Sequence, residues 1–251
     1  MWTLHDCWPF TGHCSYFSFN NCRKWKVHCK HCKYISGYPA SFFIDNPKNN
    51  FDLKRRYFSS LNSLTLVPVS DWLGDLLSES FFGKIPSVRI YNGIDIKAFH
   101  PFSNVDKIRR SYKIGDSKIV IGVANIWSDR KGLEDFMELR KLLSLDYVII
   151  LVGLIDSQIK VLPHGIIGIK RTNSVKELAE LYSAADVFVN PTWEDNFPTT
   201  NLEALACGVP VITYRTGGSI EAVSDGTGLI VEKGDVIGLS VAVKIITEKN
   251  K

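Results

Sequence analysis

The chain has 251 residues, 45% hydrophobic and 22% charged, with a net charge of +4. That is an ordinary globular composition, enough for one large domain or two small ones, and it excludes a disordered or repetitive chain. No apolar run in the chain is long enough to span a bilayer as a helix.

The first part of the chain holds the whole basic excess: residues 1–95 carry 11 Lys/Arg against 7 Asp/Glu, residues 96–251 carry 19 against 19. The cations are interleaved with aromatics ("CRKWKVHCKHCKY", "LKRRYF"). Such surfaces suit phosphates, anionic lipid headgroups or nucleic acid, and a solvated basic loop is the alternative. Five of the six cysteines fall in residues 7–32. Met1 is not followed by a signal-peptide pattern, so reduced thiols and a cytoplasmic chain are expected. Cys14, Cys22, Cys29 and Cys32 include one C-x2-C pair, with His13, His28 and His31 nearby. Structural zinc takes four such ligands, and adjacent Lys and Arg favour the thiolate it requires. Free thiols in an insertion loop, or a redox-labile pair, fit the same spacing.

From Lys118 the pattern becomes regular. "KIVIGVAN" reads as a strand, "KGLEDFMELRKLLSL" as a helix, and "YVIILVG" and "GIIGIK" as strands. "SVKELAELYSAA" is a helix opened by a capping box of Ser174 and Glu177. "DVFVNP" is a strand, "TTNLEALACG" a helix ended by Gly208, "VPVITY" and "TGLIVE" strands, "SIEAVSDG" and "GDVIGLSVAVKIITEKN" helices. Strands alternating with helices imply a parallel, doubly wound α/β sheet, and uniformly apolar strands imply one covered on both faces.

Ligands of such sheets bind beyond the carboxyl ends of the strands. Asp195 follows one strand end, and Glu203 lies in the next helix. The helix start between them, Thr199 to Asn201, offers unpaired N–H groups and a positive dipole end. Gly217 and Gly218 permit close backbone approach to a ligand after the next strand. Arg130 and Lys131 follow the first strand of the region. Each feature alone is commonplace. Together they suit a diphosphate, with Glu203 placed to accept from the paired hydroxyls of a ribose.

The stretches "NGIDIKAFHP", "DRKG", "DVFVNPTWEDNFPTTNLEALACGVPVI" and "GGSIEAVSDGTGLIVEKGD" resemble the retaining nucleotide-sugar glycosyltransferases of family 4, which have the GT-B fold. The resemblance covers nearly all of residues 87–251. "MWTLHDCWPFTGHC" resembles the middle of that family's N-terminal domain, in the branch that builds bacterial capsule and exopolysaccharide. The family signature is two glutamates separated by seven residues; here Asp195 replaces the first and Glu203 is the second, while Glu194 lies one position early.

The resemblance implies transfer of a sugar, with retention, from a UDP- or GDP-sugar to a lipid-linked or saccharide acceptor. It places Asp195 and His5 by the donor sugar, Arg130 and Lys131 at the leaving diphosphate, the Thr199 and Thr200 amides with Gly217 and Gly218 along the phosphates, and Glu203 on the ribose. No catalytic metal is implied. The layout is a partial N-terminal domain over residues 1–95 with a Cys-rich insertion, and a nucleotide-sugar domain over 96–251 whose last helix ends early. An N-terminally truncated chain, inactive by itself but still binding nucleotide or a partner subunit, is the alternative. Contact with the inner face of the membrane is expected where lipid-linked acceptors sit. A zinc-stabilised nucleic-acid binder and a same-fold epimerase are further alternatives; the neutral second region argues against nucleic acid, and an epimerase would not need "EDNFPTTNLEALACG".

Overall fold

The computed structural model describes all residues except 37, 42–45, 62, 104 and 250–251. The chain divides into two compact units, residues 1–92 with 194–197, and residues 93–193 with 198–251.

In the first unit, strand β1 (Trp2–Leu4) is followed by helix α1 (Pro47–Phe58), strand β2 (Leu66–Pro68) and helix α2 (Asp71–Glu79). β1 and β2 pair in parallel, Trp2 opposite Leu66. The Ser70 hydroxyl caps α2 by accepting from the Leu73 amide at 3.1 Å, which satisfies one of the helix's orphan donors. The core here is aromatic. Phe10, Phe17 and Trp25 are buried, with Trp25 centred 5.4 Å from Phe10 and 4.8 Å from Phe17. The Cys-rich segment therefore supplies aromatic core of its own.

In the second unit the elements are helix α3 (Asp106–Ser111), strand β3 (Lys118–Val123), helix α4 (Leu133–Leu142), strand β4 (Tyr147–Val152), helix α5 (Asp156–Ile159), strand β5 (Ile166–Ile169), helix α6 (Val175–Ala184), strand β6 (Val187–Asn190), helix α7 (Thr199–Ala206), strands β7 (Val211–Tyr214) and β8 (Gly228–Val231), and helix α8 (Val236–Lys249). The six strands form one parallel sheet in the order β5-β4-β3-β6-β7-β8. Alternate residues of a strand face opposite sides. On one side Val120, Ile149, Leu151 and Val189 pack with Phe136 and Leu139 of α4 and with Leu239 and Val243 of α8. On the other, Ile119, Ile121, Ile150 and Phe188 pack with Leu181 and Tyr182 of α6 and Ala204 of α7.

Two local expectations change. The Ser174 hydroxyl does accept from the Glu177 amide at 3.1 Å, but the Glu177 carboxylate takes the Asn173 amide instead, at 2.6 Å, so the reciprocal half of the box is shifted by one residue. "SIEAVSDG" is not an α-helix. Residues Gly217–Ala222 form a tight 3-10 turn, because the chain enters from two glycines and leaves through extended Val223 into a turn closed by Thr227 on Ser224.

Candidate functional site

The second unit places its candidate residues on adjacent strands. Arg130 and Lys131 form a 3-10 turn after β3, Thr199, Thr200 and Glu203 lie on α7 after β6, and Gly217 and Gly218 follow β7. Because β3, β6 and β7 are neighbours in the sheet, all seven residues gather along one set of carboxyl ends.

Gly132 closes the cationic turn with φ +76, and a Cβ there would lie 2.2 Å from the Pro191 carbonyl oxygen. Only glycine brings the two loops this close. The Trp193 amide then donates to the Arg130 carbonyl at 2.8 Å, and Trp193 Nε1 donates to Asp135 at 2.8 Å. Asp135 also accepts from the Tyr214 hydroxyl at 2.9 Å. The cationic turn is thereby tied to the strand ends around it.

At the start of α7, the Asn201 amide, expected to be unpaired, donates to the Pro198 carbonyl at 3.2 Å. Pro198 itself has no N–H. Thr199 and Thr200 carry the amides that remain at the positive end of the helix. Glu203 accepts from the Tyr182 hydroxyl at 3.1 Å. Burial raises the Glu203 carboxyl above the ordinary range, and hydrogen bonds from Tyr182 and Thr199 oppose that rise in part. Burial, then the charge of Glu203, holds the Tyr182 phenol well above its ordinary pKa. Tyr182 thus remains a donor to a carboxylate that keeps further lone pairs for a ligand.

Beneath these groups lies a polar network that the sequence pattern did not reveal. Asn190 Nδ2 donates to Asn201 Oδ1 at 2.8 Å, and Asn201 Nδ2 donates to the Ser219 carbonyl at 3.0 Å. The Thr213 hydroxyl donates to the Asn190 carbonyl at 3.1 Å, and the Thr216 hydroxyl to the Thr192 carbonyl at 2.8 Å. These bonds fix the loops after β6 and β7 to one another. The available signal was that one apolar strand ends in Asn190 and the next carries Thr213 one residue before its end, polar side chains with no other reason to be buried.

Glu194 and Asp195 both belong to the first unit. Glu194, which the family spacing leaves without a part, is 1% exposed. It accepts from three consecutive amides, those of Phe17 and Ser18 at 3.0 Å each and of Phe19 at 2.7 Å. Asn196 Nδ2 donates to the His5 carbonyl at 2.9 Å, and Phe197 stacks on Tyr91 at 4.7 Å. The segment carrying Asp195 is thus fixed on both sides, and its neighbour Asn196 holds the backbone of His5.

The four thiols expected to hold zinc do not form a ligand set. Cys14, Cys22, Cys29 and Cys32 line one cavity of about 250 Å³, but among the described residues no group of three or more His, Cys, Asp or Glu is arranged to hold a metal ion. Cys14 and Cys32 approach to 3.7 Å. His28 is taken by Asp52 at 2.8 Å, and His13 lies 3.0 Å from the Ile35 carbonyl. At Cys14 and Cys29 the nearby cations do not bring about the lowering that was expected. Burial pushes Cys29 up to about 11 and Cys14 higher still, with the neighbouring Cys32 thiol adding to the rise at Cys14. As arranged, these residues do not fit the metal, because structural zinc needs four convergent ligands and, among the described residues, no three of them converge. Among the described residues, no helix is long and apolar enough to cross a membrane.

Residues 117–248 match the family model described as "Glycosyl transferases group 1". The chain is 27% identical over 245 residues to WcaC of Escherichia coli, a protein named provisionally as a colanic acid biosynthesis glycosyl transferase. That alignment covers 95% of this chain and 57% of WcaC, so the chain spans little more than half the length of this relative. It is 30% identical over 147 residues to a GDP-mannose-dependent alpha-mannosyltransferase of Corynebacterium glutamicum, covering 57% of this chain and 35% of that one. Among solved structures, the HepE protein of Anabaena in complex with UDP-glucose superposes with a TM-score of 0.67 at 20% identity, over 80% of this chain and 58% of that one. Sucrose-phosphate synthase of Thermosynechococcus elongatus gives 0.69 at 21% identity, over 83% and 55%. The fold is α/β of the GT-B type, and with more than half its length matched by the family model the chain belongs to the group 1 glycosyl transferases.

Proposed function

We propose that the protein transfers a hexosyl group, with retention of configuration, from a UDP- or GDP-sugar to a hydroxyl of a saccharide or lipid-linked acceptor in polysaccharide assembly. The observation that carries this reading is the convergence of Arg130, Lys131, the α7 start and Glu203 on the ends of two adjacent strands, β3 and β6. The names of two similar proteins support the donor class, one solved with UDP-glucose and one dependent on GDP-mannose.

In this reading the departing diphosphate gathers negative charge as the glycosidic bond to the nucleotide breaks. Arg130 and Lys131 neutralise that charge, and the Thr199 and Thr200 amides with those of the Gly217–Gly218 turn donate to the phosphate oxygens. Preorganised donors of this kind are each worth on the order of 10²–10³ in rate. Glu203 accepts from the ribose hydroxyls. Asp195 and His5 attend the sugar, and no metal is required for any of these roles. Docking at the inner face of the membrane would give access to lipid-linked acceptors.

The test is transfer and donor hydrolysis with a panel of UDP- and GDP-hexoses, with the anomeric configuration of the product read by NMR. Turnover with one nucleotide class and a retained anomer is expected, with Arg130→Ala and Lys131→Ala each lowering the rate by about 10²-fold or more. Turnover untouched by either substitution, or an inverted product, would overturn the assignment.

A further inference from the structure

The last turn of α1 and the turn after α2 enclose an open groove in the first unit. It is lined by Arg55, Arg56, Ser59, Ser78, Ser80 and Lys84, with Phe81 and Gly83. Phe51 of α1 meets Phe81 edge-on at 5.4 Å, and Phe58 stacks near Phe82 at 6.5 Å. These ring contacts hold the two walls together.

The groove contains three cations and no carboxylate. Several surface cations elsewhere are paired with acids: Lys26 with Glu79, Lys48 with Asp52, Arg89 with Asp71 and Arg215 with Glu232. Glu79, the acid nearest in sequence to the second wall, is thereby committed to Lys26. Offsetting the negative end of α1 accounts for Arg55 and Arg56. It does not account for Lys84, which a different turn brings to the same groove against like charge.

That turn is rigidly set. The Ser80 amide donates to the Leu77 carbonyl and the Gly83 amide to the Ser80 carbonyl, each at 3.1 Å. The Ser80 hydroxyl accepts from the Phe82 amide at 3.0 Å. A Cβ on Gly83 would lie 2.4 Å from the Ser78 carbonyl oxygen, so this tight path requires glycine. Lys84 is therefore carried to the groove by a fixed backbone rather than by a wandering loop.

We infer that this groove is a binding site for a phosphate group, held by the two guanidinium forks and the Lys84 ammonium, with the Ser59 hydroxyl as an added donor. Guanidinium groups bind phosphate through paired hydrogen bonds, and an ammonium adds a point charge. A soluble phosphate compound and the headgroup of an anionic lipid share this chemistry.

The experiment titrates the full chain with inorganic phosphate by calorimetry, and separately sediments it with vesicles of phosphatidylglycerol or of phosphatidylcholine. Saturable binding in at least one arm is expected, weakening as salt rises. Phosphate binding alone identifies a soluble ligand; binding to phosphatidylglycerol but not phosphatidylcholine vesicles identifies a lipid headgroup. Arg55→Ala combined with Lys84→Ala should weaken that binding by about tenfold or more. Both side chains are exposed, so the variant should keep its thermal midpoint and its affinity for UDP or GDP. Arg55→Lys with Arg56→Lys, which retains charge but loses the forks, should give an intermediate loss. Absence of binding in both arms, or unchanged binding in the double alanine variant, would overturn the site.

Discussion

The carboxylate of Glu194 reaches the backbone amide of Phe19 at 2.7 Å while its other oxygen takes Phe17 and Ser18. A buried carboxylate satisfied by three amides is stable only as a set, because removing it leaves three desolvated donors behind. Glu194→Ala is expected to cost on the order of 3 kcal/mol, and Glu194→Gln, which keeps one acceptor oxygen, about half of that. Urea unfolding of the two variants checks this; a loss under about 0.5 kcal/mol for the alanine variant would mean that water replaces the carboxylate at no cost.

Glu203 should make nucleotide affinity depend on pH. Burial raises its carboxyl above the ordinary range, so it takes up a proton at a higher pH than an exposed glutamate. Once protonated it is a poorer acceptor for ribose hydroxyls. Affinity for UDP or GDP should therefore fall as pH drops through the raised pKa. Stability should move the other way. A carboxyl whose folded pKa is raised favours folding at low pH, and that contribution is lost as pH rises through the folded pKa. Glu203→Gln should abolish both slopes and weaken nucleotide binding about tenfold at neutral pH. Calorimetry across the acid range decides, and a pH-independent affinity in the unaltered chain would count against the ribose role.

Lys54 gives a second pH signature. The residue is 7% exposed, and its ammonium donates to the Trp8 carbonyl at 2.7 Å and the Thr11 carbonyl at 3.0 Å and sits 3.3 Å over the Trp8 ring. Burial lowers its pKa to about 8, against the partly offsetting pull of Cys29 and Asp6. The unfolded chain keeps this proton up to roughly pH 10.4. Between about 8 and that value the unfolded state binds more protons, so Lys54 makes stability rise with pH. The gain is on the order of 3 kcal/mol, at about 1.4 kcal/mol per pKa unit. Subtracting the pH–stability curve of Lys54→Met from that of the unaltered chain isolates this rise. A flat difference would show that the ammonium is better hydrated than its burial implies.

The network under the strand ends should separate two neighbouring substitutions. Asn201→Ala removes one bond with Asn190 and one with the Ser219 carbonyl, at an expected cost of about 2–3 kcal/mol. Among the described residues, the buried Ser219 hydroxyl has no hydrogen-bond partner. Ser219→Ala should then change stability by no more than about 0.5 kcal/mol in either direction. Thermal unfolding of both variants tests the contrast, and equal losses would contradict it.

The second unit was legible because its signals are local. Strand runs such as "YVIILV" and the spacing of "KELAELYSA" reflect burial on a sheet and on one helix face, and both were read correctly. The four-residue α5 fell below any periodicity that a sequence window can resolve. The first unit was hard to read for the opposite reason. Its order comes from pairings between distant positions, such as Glu194 with Phe17 and Lys54 with Trp8. The cysteine spacing imitated a metal knuckle, while the segment's stabilising side chains were Phe10, Phe17 and Trp25. That the candidate residues lie at strand ends was legible from position alone, but the asparagines and threonines that hold those ends needed three dimensions to be seen.

Residues 194–197 complete a unit whose other residues all precede position 93. During vectorial synthesis, the amides of Phe17, Ser18 and Phe19 emerge from the ribosome with no partner. They wait until the carboxylate 175 to 177 positions later has been made. At translation rates of about 5–20 residues per second, that interval is on the order of 10–30 seconds. Over that time the three amides must be solvated by water, and the N-terminal lobe cannot close around them until Glu194 arrives.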